Sequence, residues 1–160
     1  MQIDTIQRNN EAGGVMAYLR QPKVTFVRTR ADEDLLNRAV EKPRQVYDLF
    51  KDMQDESKEK VVVLHLNSQL EVLSYEVASM GVAHQAVFDP FEIYRNAMLA
   101  RASSLVVVHN HPSGTCKPSN ADVAVALRMS ELGKLHDMIL QDFIIIGFGE
   151  FYSFRDHGQF

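Results

Sequence analysis

Three short apolar runs decide what this chain can fold into: VVVLHL at 61–66, SLVVVH at 104–109 and DFIIIG at 142–147. Each is rich in β-branched residues and bounded by charged or turn-forming ones, the pattern of a buried strand. None approaches the roughly 20 apolar residues that a membrane-crossing helix needs. Between the runs the period changes. After Pro43, Val46, Leu49, Phe50 and Met53 fall at helical spacing, and the charged stretch DMQDESKEK follows. Ser68-Gln69 reads as a hairpin turn into LEVLSYEVASMG. Asp89-Pro90-Phe91-Glu92 reads as a helix start, with Asp as N-cap and Pro in the first position, and Ile93, Ala97, Met98 and Leu99 give that helix its core face. NADVAVALRMSELGK predicts a helix ending near Gly133, and DFIIIGFGEFYSF a closing strand or hairpin. Strand, hairpin, helix, strand, helix, strand predicts an α/β fold, a mixed sheet flanked by helices.

Residues 1–42 read differently. They are polar at first, contain Gly13-Gly14, and offer one short strand at Lys23–Thr29 (KVTFVRT), so they predict an extension ahead of a domain over 43–160. With 46% hydrophobic and 24% charged residues among 160, the chain has the composition of an ordinary globular protein. That excludes a long disordered tail, a collagen-like repeat and a disulfide-stapled miniprotein. A single cysteine, Cys116, fits a reducing compartment. MQIDTIQRNN lacks the basic start and apolar run of a secretory signal, so the expected location is cytoplasmic and no membrane contact is expected.

The net charge is −4, unevenly placed. Residues 1–60 carry 11 basic and 11 acidic side chains, whereas residues 61–160 carry 6 and 10. A protein that grips a nucleic-acid backbone needs a basic stripe. The segment with the chemistry is acidic, so charge gives nucleic-acid binding no support.

That segment is His109-Asn110-His111-Pro112, with Ser119 and Asp122 downstream. Residues two apart on a strand point to one side, so His109 and His111 present two imidazoles together, and Asp122 falls in the first turn of the next helix. Two imidazoles and a carboxylate form a three-ligand zinc set with a fourth position left for water, the equipment for hydrolysing an amide. A plainer reading stands beside it. Paired histidines on a strand can be merely polar, and Ser119 to Asp122 is also a helix capping pattern. Spacing alone leaves both readings open.

HNHPSGTCKPSNAD resembles the JAMM (JAB/MPN) metalloprotease signature of His-x-His, seven residues, Ser, two residues, Asp. The form His-Asn-His-Pro-Ser-Gly is similar to the bacterial RadC-like branch, and the likeness runs from about Pro43 to Phe154. It implies a three-layer, cytidine-deaminase-like fold and one zinc ion per chain held by His109, His111 and Asp122. It implies that Ser119 helps to stabilise an oxyanion. It further implies a catalytic glutamate just ahead of the first core strand, where Glu59 stands, acting as general base and then as proton donor to the leaving amine. Glu59 could equally be one more solvated charge in DESKEK. Glu76 is its rival, because a carboxylate in an apolar strand invites a role.

The chain departs from the family pattern in places. Many JAMM deubiquitinases have Ser or Thr where Asn110 stands, an asparagine shared with RadC-like proteins, so a ubiquitin-like substrate is not implied. The helix-hairpin-helix region of longer RadC proteins is not recognisable in residues 1–42. Asp142-Phe143 stands where family members commonly have Asp-His. His65 reads as a satisfied, partly buried side chain. His84, His136 and His157 read as surface or loop residues, Cys116 as a tolerated loop residue, and Ser113-Gly114 as turn formers. No Gly-x-Ser-x-Gly elbow, phosphate-binding glycine loop or His-x-Glu with Pro-Cys-x-x-Cys occurs. The expected function is a zinc-dependent peptidase or isopeptidase acting on a peptide or isopeptide. The alternative is a DNA-repair-associated or mobile-element accessory protein, a binding module whose metal site is structural or vestigial.

Overall fold

The computed structural model describes residues 25–27, 39–80 and 88–160. Residues 1–22, most of the expected strand at Lys23–Thr29, and His84 lie outside the described residues.

Helix α1 spans Pro43–Phe50 and runs into a 3₁₀ turn at Lys51–Asp55. Pro43 stands at its first position, and the Gln45 side chain reaches back to accept from the Lys42 N–H at 2.8 Å. Strand β1 (Lys60–Leu66) turns at Ser68-Gln69 into β2 (Val72–Met80). Asn67 Oδ1 accepts there from the N–H groups of Gln69 and Glu71. Helix α2 (Pro90–Leu99) begins at Asp89, whose carboxylate accepts from the Phe91 N–H at 3.0 Å. Strand β3 (Ser104–Asn110), helix α3 (Asn120–Leu135), strand β4 (Ile139–Ile146) and strand β5 (Phe151–Ser153) complete the order.

The strands form one mixed sheet in the order β2-β1-β3-β4-β5, in which only β3 and β4 run parallel. Strand alternation divides the core in two. Val61, Val63, Leu105, Val107, Phe143 and Ile145 face α2 and α3. Val62, Leu64, Val106, Val108, Ile144 and Ile146 face α1 and the 3₁₀ turn. The result is a three-layer α/β fold, a sheet with helices on both faces, as the sequence predicts.

The structure differs from expectation at helix faces and ends. On α2 the buried residues are Pro90, Ile93, Tyr94 and Ala97, while Met98 and Leu99 are exposed. At 100° per residue these two fall outside the stripe centred on Ile93 and Ala97. On α1, Tyr47 is buried, and Leu49 and Phe50 only half so. Helix α3 runs past Gly133 to Leu135. No helix among the described residues is long and apolar enough to cross a membrane.

This topology fixes where chemistry can sit. The C-terminal ends of the parallel strands β3 and β4 and the N-terminus of α3 meet at one edge. Because β1 runs antiparallel to β3, the start of β1 lies at that same edge, with Val61 opposite His109.

Candidate metal centre

His109 is the penultimate residue of β3 and is 1% exposed; His111 is the first residue beyond the strand and half-buried. Their rings meet edge-on, with centroids 4.9 Å apart. The turn that follows closes with the Gly114 N–H donating to the His111 carbonyl at 2.9 Å, Gly114 taking φ +83°, which glycine adopts without strain. This agrees with the turn-forming role expected of Ser113-Gly114. The loop then delivers Ser119 as N-cap of α3 and Asp122 in its first turn.

Asp122 is 4% exposed and faces both imidazoles: its Oδ1 lies 3.7 Å from His109 Nε2 and its Oδ2 3.3 Å from His111 Nε2. One ligand atom from each of the three residues falls within 4.8 Å of the others, so His109, His111 and Asp122 can hold a metal ion. The other ring nitrogens are occupied. His109 Nδ1 lies 3.3 Å from the Lys60 carbonyl oxygen, and His111 Nδ1 3.0 Å from that of Thr115. A carbonyl oxygen only accepts, so each Nδ1 carries the proton. In the neutral rings this leaves both Nε2 lone pairs aimed at Asp122, the arrangement of a metal-ligating histidine.

The electrostatics follow. Burial alone would raise the Asp122 pKa, yet contact with His111, hydrogen bonds from the Ser119 hydroxyl and N–H, and nearby His109 together hold it at about 2. Burial and the neighbouring His111 push His109 below the ordinary imidazole value. His111 is raised, because its contact with Asp122, helped by the Thr115 carbonyl, outweighs burial. Glu59 is half-buried immediately ahead of β1, and its negative charge raises both imidazoles.

Ser119 hydrogen-bonds to Asp122 three ways. Its hydroxyl and N–H both donate to Asp122 Oδ2, at 2.6 and 2.7 Å, and the Asp122 N–H donates back to its Oγ at 3.2 Å. Capping and ligand placement therefore coexist at one residue. Glu76 is engaged elsewhere, its Oε2 accepting from Asn96 and its Oε1 lying 3.5 Å from His65 Nε2.

The family profile described as a RadC-like JAB domain matches residues 40–159. The chain belongs to that family. Similar proteins include UPF0758 proteins of Methanosarcina mazei, 36% identical over 76% of this chain and 53% of the relative, and of Chlorobium chlorochromatii, 42% identical over 65% and 47%. A third, from Chlorobaculum parvum, is 37% identical over 76% of this chain and 55% of its own length. The chain spans about half the length of the curated relatives it matches.

Within this RadC-like JAB domain, the residue that follows Asp142 is structural. Phe143 is fully buried among Phe88 and Phe154. Asp142 beside it is also buried; it accepts from the Ser153 hydroxyl at 2.6 Å and from the Arg155 N–H at 3.0 Å, tying β4 to the segment after β5. Cys116 lies in the loop between His111 and Ser119 and is not among the three clustered residues that could hold a metal. His65 is 3% exposed, with Nδ1 2.9 Å from Ser74 Oγ. His136 and His157 are exposed, as expected.

Two residues were missed by spacing. A Cβ on Gly147 would come within 2.6 Å of the Cys116 nitrogen and the Gly114 oxygen, so only glycine lets β4 pass this close under the metal loop. The signal is a glycine directly after an apolar strand. Asn110, between the two histidines, is fully buried and bonded to the chain ahead of β1.

Proposed function

We propose that this RadC-like JAB domain is a zinc-dependent amide hydrolase, a peptidase or isopeptidase using one zinc ion per chain. One observation carries the reading: two imidazoles, each with Nδ1 against a backbone carbonyl, turn their Nε2 atoms toward one buried carboxylate. A lone pair facing a carboxylate repels it, so the three groups call for a cation between them: a proton on His111 answers one pair, and a metal ion answers all three. Two nitrogens and one oxygen match the donor set of a catalytic zinc site, which keeps one position open.

When bound, zinc supplies Lewis acidity that acidifies a water molecule and polarises a carbonyl. The protein's own residues do the rest. His109, His111 and Asp122 fix the ion's place at the edge of the sheet. Glu59, near both imidazoles, takes the proton of the attacking water and returns it to the leaving amine. Ser119 turns its hydroxyl from Asp122 toward the carbonyl oxygen as negative charge develops there. The substrate class is a peptide or isopeptide bond, because an amide needs both oxyanion stabilisation and protonation of its nitrogen.

The test incubates the zinc-loaded protein with a mixture of linear peptides and lysine-linked isopeptides, with products read by mass spectrometry. Cleavage is expected, falling by about 10² or more in Glu59→Gln while zinc content is kept. Equal cleavage by Glu59→Gln overturns the assignment of the base. No amide cleaved by the zinc-loaded protein contradicts the hydrolase reading.

A further inference from the structure

We infer that Asn110 is the residue that positions Glu59, an inference that rests on the hydrolase reading above. Asn110 ends β3 and is fully buried, where an unpaired carboxamide would be costly. Its Oδ1 accepts from the Lys60 N–H at 2.7 Å, and its Nδ2 donates to the Lys58 carbonyl at 3.2 Å. Those two groups belong to the two peptide planes that flank the Glu59 Cα. Each plane is rigid, so one side chain that holds both of them fixes the φ and ψ of Glu59. A carboxamide suits this, because the two sites ask for one acceptor and one donor and its Oδ1 and Nδ2 supply them on separate atoms.

The same residue, Lys60, also serves the metal ligand. The Lys60 N–H is held by Asn110, and the Lys60 carbonyl lies 3.3 Å from His109 Nδ1. The backbone of the base and the tautomer of the ligand are thus set by one short segment. The segment ahead of β1 is otherwise exposed and charged from Asp55 to Lys58, and without this clamp Glu59 would share its freedom. Asn110 is a positioning residue: it touches neither imidazole nitrogen that faces Asp122, and acts through the main chain around Glu59.

The test needs no substrate. Acetohydroxamic acid, a zinc-binding probe, gives up its N–O–H proton on binding, and the nearby carboxylate of Glu59 receives it. Affinity is measured on zinc-loaded native protein, Asn110→Ala, Glu59→Gln and the double variant, with zinc stoichiometry and Lys60 amide exchange measured in parallel. Asn110→Ala is expected to keep its zinc, lose about tenfold in affinity and exchange the Lys60 amide about tenfold faster. Adding Glu59→Gln to it should cost nothing further. Asn110→Leu, which fills nearly the same space with neither donor nor acceptor, replaces Asn110→Ala if the latter does not fold, with the same expectation. Hydroxamate affinity within twofold of native in the Asn110 variants, with Glu59→Gln still weakening it, overturns this inference and leaves the hydrolase reading intact. Loss of zinc from the Asn110 variants assigns the residue to the ligands and also overturns it. Native protein that binds no zinc or hydroxamate overturns both.

Discussion

Asp122 closes the capping box of α3, accepts from the Ser119 hydroxyl and faces two imidazoles. Its low pKa has a consequence for the metal-free protein. The folded value of about 2 lies below the ordinary 3.8, so its contribution to stability is fully present above pH 4 and is lost as pH falls toward 2. Ser119→Ala removes one of the groups that hold this pKa down and deletes the cap. It should cost about 1 kcal/mol at neutral pH by urea denaturation, with a smaller deficit near pH 2, and an unchanged midpoint would contradict the capping role. The histidines behave differently. His111 is raised above 6.5 and His109 lowered, so protons compete with zinc mainly at His111. Zinc affinity, measured by chelator competition, should therefore fall as pH is lowered through the His111 pKa, and should be nearly flat above it. A pH-independent affinity would place the metal elsewhere. At this scale the sequence displays the ligand types and their spacing. It does not display the Lys60 carbonyl that fixes His109, or the Asn110 clamp, because these join positions about 50 residues apart.

At the scale of elements, the apolar runs were enough to place β1, β3 and β4, since each alternates between the two halves of the core and is buried on both. Asp89 and Pro90 marked the start of α2 through their own chemistry, and Asp89 does accept from Phe91. The faces of the short helices were less legible. Tyr47 and Tyr94 are buried and Met98 and Leu99 are exposed, because which side of a short helix meets the sheet depends on its neighbours. Tyr94 fits there because its hydroxyl donates to the Met129 carbonyl at 2.7 Å. The metal loop depends on an element it does not belong to: Gly147, after β4, leaves room for Gly114, Thr115 and Cys116. Gly147→Ala forces those backbones apart, and should destabilise the fold by about 1–3 kcal/mol in urea and weaken zinc binding by displacing His111. A variant as stable and as zinc-competent as the native chain would contradict that packing account.

At the scale of the molecule, the sheet order brings the start of β1, the ends of β3 and β4, and the start of α3 to a single edge. Val61, two residues after Glu59, and His109 are far apart in sequence and paired for that reason alone. A bound ion would join β3 to α3 and stabilise the folded chain by mass action, by about 2.7 kcal/mol at a free concentration 100 times its dissociation constant. The central claim is that His109, His111 and Asp122 hold zinc, and metal content tests it most directly. Elemental analysis of the native protein, purified without chelators, is compared with the His109→Ala/His111→Ala double variant. The account predicts about one equivalent of zinc in the native chain and none in the variant; no stoichiometric metal in the native chain, or equal metal in both, would contradict it.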